Sequence, residues 1–260
     1  ADGFGPNAGH APTINDQAKG RERLPQIWGY GLLREAKDVR VVATTADDGS
    51  PIVEVQATYP RPGKPEQALK GSYTLKFARD GSVRVSYDYT PIAAEGEASQ
   101  VGFSVSVPAT LDQFRWLGQG PYAGYAGKDR QNEYGAFHLG RGDLYFPGNR
   151  RGVEFAALGT SAGTGLLLAG TDLTIDLEET PTGTLLSPLA PPQSERATTE
   201  SKGDGTNTSS RVKLSSQKHI RGEFTLLPLD QTWPAELMDW LGRPGQPAKV
   251  FSPFLRSYDR

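Results

Sequence analysis

Residues 39–59 read VRVVATTADDGSPIVEVQATY, and their alternation decides the fold class. β-Branched side chains recur near every second position in Val39 to Thr45 and again in Ile52 to Tyr59, the period of a strand with one face on a core. Between the runs, Asp47-Asp48-Gly49 supplies turn chemistry, because glycine takes a positive φ without strain. The pattern repeats downstream. Gly71 to Phe77 and Ser82 to Thr90 flank Asp80-Gly81, and Gln100 to Val107 follows, so antiparallel strands are expected through residue 107. Phe114 to Leu117, Val153 to Leu158, Gly165 to Ala169, Thr171 to Leu177, Val212 to Leu214 and Glu223 to Leu227 continue in the same short, turn-bounded style.

The 31 glycines and 20 prolines of this 260-residue chain fall between such runs, not in one tract, as turns of an all-β domain do. Pro25 and the glycines around Trp28 argue against a regular helix over Glu22 to Lys37. A short C-terminal helix is expected at Pro234 to Leu241, with proline in its first turn and Gly242 as its stop. The expected organisation is a β domain over 1–229, a mobile polar loop within it at 187–210, and a tail with that helix over 230–260. The formal charge of −2 and the lack of a Lys/Arg cluster exclude an electrostatic nucleic-acid binder or membrane-surface protein. Without cysteine there are no disulfides or thiolate metal sites, and stability must come from packing. The longest apolar run, Gly165 to Gly170, is too short to span a bilayer, and no signal peptide is read in Ala1 to His10.

The stretch Phe114-Arg115-Trp116-Leu117-Gly118-Gln119-Gly120-Pro121-Tyr122, with Tyr125 and Asp129-Arg130 after it, resembles the W-x-G-x-G-P-x-E-N-Y-x-D-R signature of the C-terminal domain in the β-galactosidase group of glycoside hydrolase family two. Ala11 to Asp16 is similar to the R-A-P-T-D-N-D segment ahead of that signature. Phe146-Pro147 through Gly148-Asn149-Arg150 to Phe155 is similar to a P-x-E-x-G-N-R-x-x-V-x-W strand pair, and Glu223 to Pro228 to the closing strand. The resemblance covers roughly residues 11–229. This chain departs from the pattern at Ala123-Gly124, where the family carries Glu-Asn, and at Ile14, where it carries Asp. The family's G-D-D-S-W motif has no counterpart, and the strands that normally precede Ala11 are expected to be missing.

The resemblance implies a large antiparallel supersandwich of the galactose mutarotase type, serving as a non-catalytic module that completes the cleft of a sugar-hydrolysing barrel. Hydrolysis of this kind uses two carboxylates, and neither the βα alternation of a barrel nor its acid motif is present. The implied carbohydrate-contacting residues are Asn15, Asp16, Tyr122, Tyr125, Asp129 and Arg130. Trp116 is expected in the core, and Asp129 with Arg130 to brace the loop as an ion pair. A second reading is a carbohydrate-binding module using the Tyr122–Arg130 loop. A third, an autonomous mutarotase-like or lyase enzyme, would need His138 with a carboxylate in one concave site. The three histidines, His10, His138 and His219, have no metal-ligand spacing, so neither a metal nor a cofactor is expected. Expected partners are carbohydrate and either a catalytic barrel or a second copy of the chain, with secretion or the periplasm as the location.

Overall fold

The computed structural model describes residues 3–9, 35–95, 97–98, 100–124, 131–143, 146–190 and 212–230. Among them run β1 (Phe4–Ala8), β2 (Lys37–Thr45), β3 (Pro51–Arg61), β4 (Lys64–Phe77), β5 (Val83–Ile92), β6 (Glu97–Ala98), β7 (Val101–Pro108) and β8 (Gln113–Gly120). They continue as β9 (Glu133–Gly140), β10 (Gly148–Gly159), β11 (Gly165–Thr180), β12 (Gly183–Pro188), β13 (Val212–Lys213) and β14 (Ile220–Leu229). Every described pairing is antiparallel. The expected all-β sandwich is what forms. The expected helix, Pro234 to Leu241, lies outside the described residues.

Turn chemistry sets the hairpins. In Ala46 to Ser50 and in Ala78 to Ser82 the same five-residue loop recurs, with Asp48 and Asp80 each accepting the N–H two residues on at 2.9 Å. Gly49 and Gly81 follow at φ 78° and 84°, where a side chain would be strained.

One strand links the two layers. Along one flank β11 pairs with β10 for most of its length; along the other, its first half pairs with β14 and its second half with β12. The chain of hydrogen bonds therefore runs β1-β7-β12-β11-β14-β5-β4-β3-β2, folding back so that β7 lies over β4, β5 and β14. Phe103 on β7 is fully buried between the layers. Its ring centroid is 4.6 Å from Phe4, 5.3 Å from Tyr73, 5.5 Å from Tyr87 and 5.8 Å from Phe224. Tyr87 also lies over Gly222, its cross-strand partner, where any Cβ would collide with the phenol.

The structure corrects several sequence expectations. Strands expected separately at Gly165 to Ala169 and Thr171 to Leu177 are one, β11. Gly170-Thr171-Asp172 is a bulge, not a turn, with Asp172 at φ 49° and the β10 register shifting opposite it. A strand, β1, precedes Ala11 where none was expected, and its last four residues are buried. The polar loop expected from Ser187 begins later. Ser187 and Pro188 are the buried end of β12, Leu189 and Ala190 are buried after it, and the remainder, 191–210, lies outside the described residues. The Ser187 hydroxyl accepts from Asn7 Nδ2 at 3.1 Å and lies 2.6 Å from Ser104 Oγ, which satisfies a polar side chain inside the sandwich.

Phe103→Ala should lower stability by about 3–5 kcal/mol, because four rings lose their common neighbour. Phe77→Ala, at the exposed end of β4, should cost under about 1 kcal/mol. Urea unfolding followed by circular dichroism checks both.

Candidate functional site

The site is built where β8 ends. Strand alternation turns Phe114 and Trp116 inward, and Trp116, 1% exposed, is the core residue expected of it. Its ring stacks between Phe114 and Phe137 at 4.9 and 5.1 Å, and its Nε1–H donates to Gln119 O at 3.0 Å. Gly120 passes against these rings. A Cβ there would sit 2.6 Å from Phe137 and 2.8 Å from Trp116, so only glycine lets the strand turn out at this point.

Across the stack from β10 comes Arg150, with no exposed surface, its guanidinium carbon 4.9 Å from the Trp116 ring centroid. A buried cation is costly unless its donors are used and its charge is met. Arg150 Nη1 donates to Gly148 O and Asn149 O at 3.2 and 3.3 Å, Nη2 donates to Phe146 O at 3.4 Å, and the indole face supplies the cation–π contact. The Trp-x-Gly-x-Gly-Pro segment and the Gly-Asn-Arg segment are thus one physical unit.

The turn that follows is held at both feet. The Tyr122 N–H donates to Asn132 Oδ1 at 3.1 Å, and Asn132 Nδ2 donates to Tyr122 O at 3.0 Å. The Gly124 N–H donates to Asn149 O at 2.8 Å. Tyr122 is half-buried. The other candidate contact residues, Asn15, Asp16, Tyr125, Asp129 and Arg130, lie outside the described residues.

Two features of this site escaped the sequence reading. Asn132 precedes β9 as an ordinary turn residue would, and nothing nearby in sequence marks it as a clamp on Tyr122. Tyr134, cross-strand from Gln119, presents an aromatic ring that is 54% exposed beside the turn. Its hydroxyl donates to Glu154 Oε1, and partial desolvation together with that carboxylate pushes its pKa up to about 12. Buried acceptors Gln119 Oε1 and Asn149 Oδ1 flank the turn with no hydrogen-bond partner among the described residues.

His138 sits away from this turn, on β9 opposite Arg115 of β8. Its Nε2–H donates to the amide oxygen of Gln113 at 2.8 Å, so the group in hydrogen-bond contact is an amide. Burial first, then the Arg115 charge, hold its pKa below the ordinary 6.5, with Asp143 opposing them. Two open concavities, of about 530 and 520 Å³, lie on the outer face of the β2 to β5 and β14 strands, and His138 lines neither.

A family model described as the beta galactosidase small chain matches residues 2–201. The chain belongs to the beta-galactosidase small chain family. The matched span contains the clamped turn and the Arg150 segment, and it begins early enough to include β1. It ends before β14, so the likeness of Glu223 to Pro228 to the closing strand rests on those residues alone. No curated protein matches the chain.

Asn132→Ala removes both bonds to Tyr122 and should cost about 1–2 kcal/mol. Limited proteolysis between residues 122 and 131 should accelerate while cleavage elsewhere does not. The depressed pKa of His138 means that the unfolded chain binds its proton first as pH falls. Its contribution is complete above about pH 6.5 and is lost as pH drops through its folded value. His138→Gln should flatten that decline in the urea midpoint measured between pH 7 and pH 5.

Proposed function

We propose that this small-chain domain is a non-catalytic module of a β-galactosidase-type glycoside hydrolase, completing the rim of a sugar-binding cleft whose acid and nucleophile lie on another domain or polypeptide. The observation that supports it most directly is the turn at Tyr122. A cluster of three stacked rings, one buried cation and two clamped feet holds the backbone where the chain leaves the sheet after Gly120 and returns at Glu133. Contacts that position a substrate act through such rigidity, since little ordering remains to be done on binding. In this reading Asn15, Asp16, Tyr122, Tyr125, Asp129 and Arg130 contact carbohydrate or the docked catalytic domain. The two carboxylates of glycosidic cleavage come from that domain.

A carbohydrate-binding module without a catalytic partner is the second reading, and the exposed ring of Tyr134 beside the turn favours it. A flat aromatic face of this kind suits the C–H patches of a pyranose.

Light scattering on the purified chain, coupled to assays with nitrophenyl galactoside, glucuronide and mannoside, separates these readings. The chain alone should give no turnover. Adding a β-galactosidase polypeptide that lacks its small-chain region should restore galactoside hydrolysis. Titration calorimetry showing millimolar or tighter oligosaccharide affinity, without restoration, would favour the binding module. Turnover by the chain alone that survives repurification would contradict both.

A further inference from the structure

Three strands of the 12-stranded sheet end a path of hydrogen bonds among the described residues: β1, β9 and β2. β1 is buried over its last four residues, and β9 is buried at its centre. β2 differs. Eight of its nine residues are exposed and the ninth, Val42, is half-buried, so no described element covers either face. Val39 and Val41 are 54% and 60% exposed.

These valines continue a face that is core elsewhere. Val41 leads across the sheet to Val55, Tyr73 and Tyr87, and Ala43 leads to Val53, Leu75 and Val85. The opposing layer covers β4, where Phe4 meets Tyr73 at 5.6 Å, and reaches β3 only at its Ala57 to Arg61 end, while Val53 and Val55 are half-buried. The apolar face therefore extends outward past its cover. Residues 39–45, VRVVATT, contain one charge, no proline and no glycine, so the blunting of this edge is confined to Arg40 and the bulge that ends at it.

We propose that β2 is a self-association edge, at which a second copy of this chain adds its own β2 antiparallel across a twofold axis at Val41. The register is self-complementary. Val41 meets its own copy, Val39 meets Ala43 and Arg40 meets Val42, so no like charges stand directly opposite one another. Because opposite residues share a face, the apolar strip of one copy runs into that of the other and the sheet becomes continuous. The bulge at Asp38, with φ 52° and a register shift between Lys37 and Arg40, limits the contact to residues 39–43 of each copy. A contact this short makes a weak dimer, below the size of a standard interface. It does not depend on the role proposed for the Tyr122 turn.

Sedimentation equilibrium over a broad concentration range tests it directly. The unaltered chain should associate reversibly to a dimer, and Val41→Lys should weaken association at least about tenfold while its circular dichroism spectrum stays unchanged. The chain has no cysteine, so a single introduced thiol reports the register. Val41→Cys should form a disulfide-linked dimer under mild oxidation far faster than Ala162→Cys, placed at an exposed hairpin tip. A chain that stays monomeric at every concentration, or equal cross-linking of the two variants, would overturn the proposal. So would a folded Val41→Lys chain that associates as the unaltered one does.

Discussion

The structure depends on the stacking of aromatic side chains between two layers of one folded sheet. Phe103 reaches from β7 to rings on β1, β4, β5 and β14, and it is the contact through which strands distant along the hydrogen-bonded path become neighbours in space. Without cysteine, no covalent staple can take over that role. The continuity of β11 supplies the complementary constraint, because one strand pairing with β14 and then β12 ties the layers into a single hydrogen-bonded unit.

A second aromatic group carries the proposed functional region. Trp116, flanked by Phe114 and Phe137 and faced by Arg150, forms a rigid block at the end of β8. Arg150 is an instance of a costly buried charge, held among the described residues by backbone carbonyls and an indole face. Such an arrangement fixes geometry more than it adds stability. The geometry it fixes is the exit of the chain after Gly120, the turn for which contact with a sugar or a docked catalytic domain is proposed. Asn132 closes the same turn from the returning strand.

Much of this was legible in the residues, for identifiable physical reasons. Alternation and Asp-Gly turns marked β2 to β5 because those strands have one polar face, and period two is visible only when the faces differ. β1 and β12 were invisible because they are short, buried nearly throughout and therefore without alternation, and each carries Gly and Pro, types that read as loop. The bulge in β11 mimicked a turn, since glycine and a positive-φ aspartate serve both. Trp116 could be assigned to the core from its place in an alternating strand. The burial of Arg150 could not, because arginine is ordinarily a surface residue and its three carbonyl acceptors come from a local coil of backbone that no pattern announces. Asn132 was missed for the same reason: its role is set by contact with a residue ten positions earlier.

The measurement that tests the central claim most directly is hydrogen exchange at the amides of Tyr122 and Gly124 before and after adding a β-galactosidase polypeptide that lacks its small-chain region. Exchange at these two amides should slow on complex formation while that of β11, inside the sandwich, stays as it was. Exchange at the turn that does not change in a complex with restored galactoside hydrolysis would contradict the placement of this turn at the cleft.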